Sequence, residues 1–172
     1  NDLVSVDRVP KQQAALAYHS SLFRDWAWGR DQIQLYADLL TPSLAGRRRT
    51  LYPGAGACGL PIEIHNRLKP ELSLAVDINP VLLLSAQRML NGQTLSLVEF
   101  PVVPTQSEYV FVEHTLSTKP PAPGFAFLFS DAQNLSSRDG CFDSIVTSWF
   151  FDIIPRDFRE TARLMNVILE SG

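Results

Sequence analysis

The sequence predicts an α/β protein with a doubly wound, mainly parallel sheet covered by helices on both faces. Three observations support this class: apolar strand patterns alternate with helical ones after residue 49, the strand at Leu72–Ile78 is rich enough in Leu, Ala, Val and Ile to be covered on both faces, and a glycine loop joins the first strand to a helix. Such alternation implies right-handed crossovers and ligand binding outside the carboxyl ends of the strands. We expect one domain over residues 1–172, with residues 1–46 forming an N-terminal helical layer.

Length and composition limit the possible functions. The chain has 172 residues, of which 45% are hydrophobic and 19% charged, so one core is expected. A net charge of -3 provides no large basic surface, and we expect no nucleic-acid partner. Since the sequence contains neither a run of about 18 apolar residues nor a signal-peptide pattern, we expect a cytoplasmic protein without a membrane partner. Cys58 and Cys141 lack ligand spacing, so no metal site or disulfide framework is predicted.

The N-terminal region has two helical patterns, over residues 11–24 and 31–40, and Asp31 is a plausible N-cap for the second. The connection Arg24–Arg30 contains two tryptophans and two arginines. It could be an aromatic staple that holds the helical layer to the core, or a lid over a ligand. Both interpretations stay open at this point.

The glycine loop follows the strand at Thr50–Pro53 and precedes a helix predicted over Gly59–Leu68. Gly54, Gly56 and Gly59 have the G-x-G-x-x-G spacing, which permits a tight turn and close approach of a ligand. Asp77 ends the next strand, where a carboxylate can accept hydrogen bonds from both hydroxyls of a ribose. These features together predict a nucleotide half-site, and a nicotinamide-dependent oxidoreductase would fit them equally well.

The remaining chain alternates less regularly. Asn79 and Pro80 begin a helix that ends near Asn91 and Gly92. Residues 93–123 are an expected insertion, a possible hairpin of strands at residues 94–103 and 108–114. Further strands are expected at residues 125–130 and 142–150. After Pro155, a helix should bury one face, formed by Phe158, Ala162, Met165 and Leu169.

Three acids, Asp77, Asp131 and Asp152, fall at the carboxyl ends of predicted strands. Because these ends meet at one edge of a parallel sheet, the acids should converge there. For each acid taken alone, turn or helix capping is the alternative to a functional role. The three histidines, His19, His65 and His114, are expected to be surface or hydrogen-bonded polar residues and not catalysts.

The segments Phe127–Leu135 and Asp139–Asp152 distinguish between the nucleotides, because they resemble the class I S-adenosylmethionine-dependent methyltransferases, which have a Rossmann-like fold. The resemblance implies that S-adenosylmethionine is the cofactor and assigns nine residues to it. The methionine moiety would be lined by Gly54, Ala55, Gly56 and Gly59, the ribose held by Asp77, the adenine contacted by Ile78, Asp131 and Ala132, and the sulfonium approached by Trp149.

One position departs from the family pattern, because Tyr52 replaces the acid that many members carry at the start of the glycine motif. That puts contact with the cofactor's amino group in doubt, and the Arg24–Arg30 segment is a candidate substitute. The Trp-Phe-Phe-Asp ending at Asp152 is similar to the carnosine N-methyltransferase-like branch. This finer resemblance implies methylation of a nitrogen in a small molecule or peptide, with Asp152 orienting the acceptor or taking its proton.

The family's sheet continues beyond the helix predicted at residues 155–170. The strand at residues 142–150 would therefore lie at an edge that needs cover. We expect a partial domain that lacks its C-terminal strands, and the edge could be covered by a second copy or a partner chain. A methyltransferase-like module that binds a partner without catalysis is thus a further alternative.

Overall fold

The computed structural model describes residues 15–100, 110–135, 140–154 and 156–170. Its helices are α1 (Ala15–Trp26), α2 (Arg30–Leu44), α3 (Gly59–Leu68), α4 (Pro80–Leu90) and α5 (Phe158–Val167). Its strands are β1 (Arg49–Pro53), β2 (Leu72–Asp77), β3 (Leu95–Glu99), β4 (Val112–Leu116), β5 (Phe125–Phe129) and β6 (Ser144–Ile145). Within these ranges, no helix has the length and apolar character needed to cross a membrane.

The main sheet has four parallel strands in the order β5-β2-β1-β6. Pro53 at the end of β1 pairs with Val76, and Asp77 at the end of β2 pairs with Phe129 at the end of β5. Since the three strands end level with one another, the loops that follow them share one rim. This register brings the glycine loop, Asp77 and the segment after β5 together.

Helices cover both faces of the sheet, as predicted. Tyr52 and Ala75 point to the face packed by α1, α2, α3 and α4, whereas their neighbours Leu51 and Val76 point to the face packed by α5. This alternation follows from the two-residue period of a strand. The doubly wound α/β class is confirmed.

The N-terminal layer differs in detail from its prediction. The first helix extends to Trp26, while residues 11–14 of the predicted helix lie outside the described residues. The second helix begins after Gly29, with no side chain capping it, so the prediction that Asp31 is its N-cap is wrong. Trp26 donates its indole N–H to the Ala57 carbonyl oxygen over 2.7 Å. This hydrogen bond holds the N-terminal layer to the glycine loop, as the staple interpretation predicts. Trp28, by contrast, is exposed.

The insertion after α4 is an antiparallel hairpin of β3 and β4. The predicted strands were longer and the second began earlier, and residues 101–109 lie outside the described part of the chain. Upstream, Asn79 caps α4 as predicted, since its side-chain oxygen accepts from the amides of Val81 and Leu82.

The strand predicted at residues 142–150 is present only as Ser144–Ile145, because just Thr50 and Leu51 of β1 pair with it. Its outer side carries a parallel bridge between Phe142 and Leu169, in which Phe142 donates to Ile168 and accepts from Glu170. The chain segment after α5 therefore begins to cover this edge.

The predicted buried face of α5 is wrong at its first residue. Phe158 is 61% exposed, and the buried residues of this segment are Thr161, Met165 and Ile168. The N-cap is Asp157, whose carboxylate accepts from the Arg159 amide over 2.8 Å. Asp152 therefore does not cap this helix, contrary to the alternative considered for it.

Candidate nucleotide site at the carboxyl ends of the strands

The glycine loop turns sharply after β1 and is tied to β2. Gly54 and Gly56 have φ of 64° and 58°, in the left-handed region that side chains disfavour. Between them, the Ala55 amide donates to the Val76 carbonyl over 3.0 Å. A Cβ atom on Gly54 would lie 2.6 Å from the Phe150 ring, so the missing side chain at this position makes room for packing.

The two later glycines face α1. A Cβ atom on Gly59 would lie 2.8 Å from the Asp25 carbonyl oxygen, which lets the helix pack directly on the loop. A Cβ atom on Gly56 would have the Arg24 guanidinium at 3.3 Å and the Asp25 carboxylate at 3.7 Å. Of the three loop glycines, Gly56 is therefore the one whose bare side faces charged groups of the described residues.

Asp77 lies beside the loop, where the sequence placed it. Its carboxylate accepts from the Gly56 amide over 2.7 Å and from the Asn79 amide over 2.8 Å. Burial raises the pKa of Asp77, the Gly56 and Asn79 amides oppose that rise, and the nearby Asp25 charge adds to it. The Ile78 amide also donates to this carboxylate. A carboxylate has about four acceptor positions, so these three amides leave room for a further hydrogen bond from a ligand hydroxyl.

Asp25 is a site residue that the sequence reasoning missed. Its carboxylate is buried, accepts from the Gly59 amide over 3.2 Å and is paired with Arg24 Nε over 2.9 Å. Burial raises the pKa of Asp25 and the Arg24 charge opposes that rise. Asp25 precedes Gly59 by 34 positions, and only the unusual tryptophan- and arginine-rich composition of its segment pointed toward a role.

Cys58 lies within the loop, fully buried and with φ of 64°. Burial raises the pKa of its thiol well above the ordinary value, and the charges of Asp25 and Asp77 act in the same direction. The thiol is therefore protonated at neutral pH. This environment does not favour a nucleophile.

The segment after β5 carries the predicted adenine contacts. Asp131 is buried, and its carboxylate accepts from the Gln133 amide over 2.9 Å and from Asn134 Nδ2 over 3.2 Å. It thereby caps the short 3-10 turn Ala132–Asn134. Capping is thus observed for Asp131, and its contact with adenine stays a prediction, as do those of Ala132 and the half-buried Ile78.

Trp149 lies beyond the end of β6 with φ of 53°, a conformation rare for a large side chain. The Arg24 guanidinium lies 4.6 Å from its ring centroid, and the Tyr36 ring packs edge-on at 5.2 Å. Arg24 therefore connects Trp149 to the glycine loop. Asp152 follows in an exposed turn, and the catalytic role predicted for it is untested.

A mainly apolar cavity of about 610 Å³ opens beside Trp149. Its walls come from α2 and from the chain after β6, including Tyr36, Leu40, Val146 and Thr147. Such a volume is of the size that proteins use for small organic ligands.

Comparison with solved structures identifies the fold. A methyltransferase described as S-adenosylmethionine-dependent, from Archaeoglobus fulgidus, matches with a TM-score of 0.57 and 18% identity over 90% of this chain and 55% of its own. The PH0226 protein from Pyrococcus horikoshii matches with a TM-score of 0.58 and 15% identity over 90% and 57%. The YcgJ protein from Bacillus subtilis gives 0.56 and 16% over 80% and 47%.

These likenesses show that the chain has the class I fold of S-adenosylmethionine-dependent methyltransferases. The chain spans about half the length of the structures it matches. No protein-family model matches the sequence, and neither does any curated protein. At these identities the comparison establishes the fold alone.

Proposed function

We propose that this chain is a catalytic domain of an S-adenosylmethionine-dependent methyltransferase that acts on a nitrogen of a small molecule or peptide. One observation carries the proposal: the Asp77 carboxylate is bound to the Gly56 amide, at a glycine loop whose bare face meets Arg24 and Asp25. Asp77, which can accept hydrogen bonds from ribose hydroxyls, therefore lies close to Arg24 and Asp25. These two opposite charges match the carboxylate and ammonium of an amino-acid end.

The residues around the loop fit the parts of the cofactor. Asp77 would hold the ribose, and the Arg24 guanidinium, which is partly exposed, would attract the methionine carboxylate. The loop from Gly54 through Gly59, including Ala55, would line the methionine moiety. Ile78, Asp131 and Ala132 would surround the adenine.

The cofactor supplies a methyl group already activated by a positively charged sulfur, so the chain mainly has to align the acceptor. The cavity beside Trp149 is a suitable acceptor site, because it opens at the end of β6 and is lined by Trp149, whose ring Arg24 contacts. An attacking neutral amine must lose a proton after the new N–C bond forms. The exposed Asp152 would accept this proton, which is the role that the resemblance to the carnosine N-methyltransferase-like branch implies for it.

Calorimetric titration with S-adenosylhomocysteine, beside oxidised and reduced nicotinamide dinucleotides, tests this proposal without knowledge of the acceptor. We expect binding of S-adenosylhomocysteine alone. Binding of a dinucleotide alone would favour an oxidoreductase, and binding of none would favour a module that has lost the cofactor.

A further inference from the structure

The space over Gly56 is bordered by two side chains of opposite charge. Arg24 Nη2 lies 3.3 Å, and an Asp25 carboxylate oxygen 3.7 Å, from the position that a Cβ atom on Gly56 would occupy. A ligand group that approaches the loop backbone here therefore meets an anion and a cation at once. An α-amino acid end, with its ammonium and carboxylate, has the matching pair of charges.

The Asp25 carboxylate is held in a fixed position. The backbone of α1 contacts Gly59 so closely that any side chain there would collide with Asp25, and the Gly59 amide donates to the Asp25 carboxylate over 3.2 Å. The carboxylate has about four acceptor positions, of which the Gly59 amide, the Ala57 amide and Arg24 Nε take three and leave one. A buried, oriented acceptor with spare capacity can bind an ammonium without first rearranging.

The end of β1 offers no competing anion, because the residue there is Tyr52. Its hydroxyl is uncharged at neutral pH, since burial raises its pKa to about 12, with the Ser73 and Thr50 hydroxyls acting in the opposite direction. Asp77, on the other side of the loop, is already directed to the Gly56 and Asn79 amides. Among the described residues around Gly56, Asp25 is the carboxylate that directly faces its bare side.

We propose that Asp25 binds the primary ammonium of the methionine moiety of S-adenosylmethionine, as an acid supplied by the first helix in place of one at the end of β1. This assignment rests on the proposed function, since it presupposes a cofactor with an amino-acid end. Asp25 is then a binding residue that also caps α3.

The test compares two ligands in calorimetry: S-adenosylhomocysteine and its des-amino analogue, which lacks only the ammonium. The unaltered chain should bind the analogue about ten- to a hundredfold more weakly, the range expected for a charge-assisted hydrogen bond. Asp25→Asn keeps an acceptor for the Gly59 amide. Its affinity for S-adenosylhomocysteine should fall by a similar factor, and its affinity for the analogue should change little. Asp31→Asn removes the same charge from an exposed position and should change neither affinity.

Equal weakening of both ligands by Asp25→Asn would overturn the assignment, because it would make Asp25 a structural cap alone. Equal affinities of the unaltered chain for the two ligands would also overturn it. If Asp25→Asn does not fold, Asp25→Glu, which displaces the charge, must narrow the difference between the ligands, and an unchanged difference would contradict the proposal. If the unaltered chain binds neither ligand, the proposed function fails and this assignment with it.

Discussion

The two ends of the parallel sheet differ in the polar groups that they contain: one end has buried carboxyls, and the other has neutral buried groups or charged groups near the surface. At the carboxyl rim (Asp25, the loop Gly54–Gly59 and Asp77), burial raises the pKa of both carboxyls despite hydrogen bonds from the loop amides. At the amino rim (Thr50, His65, Ser73, Asp143 and Ser144), the polar groups are neutral and paired, or are charged and lie near the surface. Buried carboxyls with raised pKa values are thus concentrated where a ligand would bind.

His65 shows how the amino rim is satisfied. Its ring is fully buried, with Nε2 2.9 Å from the Ala122 carbonyl oxygen and Nδ1 2.9 Å from the Ser73 hydroxyl. A carbonyl can only accept, so Nε2 carries the hydrogen and, in a neutral ring, Nδ1 accepts from Ser73. The ring joins α3, β2 and the segment before β5, which is a structural role.

The largest expected effect is therefore on stability, at the amino rim. His65→Ala should lower the free energy of unfolding by about 2–4 kcal/mol, because it leaves a cavity and two buried polar groups without their partner. Chemical denaturation monitored by circular dichroism measures this change. Affinity for S-adenosylhomocysteine under native conditions should be unchanged; a binding loss larger than the stability loss would contradict the division between the rims.

The next effect is on binding, at the carboxyl rim. Asp77→Ala should weaken S-adenosylhomocysteine binding by about 1–3 kcal/mol, since the ribose hydroxyls lose a charged acceptor. The matched control is Asp143→Ala, because Asp143 also accepts from two backbone amides, those of Arg48 and Arg49, but at the amino rim. This control should reduce thermal stability and leave the affinity unchanged, and unchanged affinity in Asp77→Ala would remove Asp77 from the site.

The smallest effect is a pH dependence. Burial lowers the pKa of His65 from its ordinary value of 6.5, with the Ala122 and Pro123 carbonyls opposing it. The unfolded chain then binds a proton that the folded chain does not, so stability is lost as the pH falls below 6.5, until the folded pKa is reached. The titration of His65 changes the free energy of unfolding by at most about 1.4 kcal/mol per pH unit.

His65→Gln removes this titration, so its unfolding free energy should fall less than that of the unaltered chain between neutral and mildly acidic pH. The difference between the two proteins isolates the histidine from Asp25 and Asp77, whose raised pKa values act in the opposite direction. Parallel pH profiles would show that His65 does not titrate differently in the folded state.

Features of the fold that depend on neighbouring residues in the sequence were predicted correctly. The bounds of α3, the Asn79 cap and the position of Asp77 follow from glycine spacing, capping side chains and apolar runs. The short length of β6 could not be predicted, because it depends on how many β1 residues pair with it. Asp25 was also missed, since its place beside the loop results from packing between α1 and Gly59, which are distant in sequence.

The most direct test of the account is amide chemical-shift mapping of the chain during titration with S-adenosylhomocysteine. We predict the largest changes at the amides of Gly56, Gly59 and Asn79, which bind the two carboxylates of the carboxyl rim. The amides of Ser73 and Ser144, at the amino rim, should be unaffected. Changes centred on the amino rim, or none at all, would contradict the claim that the buried charges mark a cofactor site.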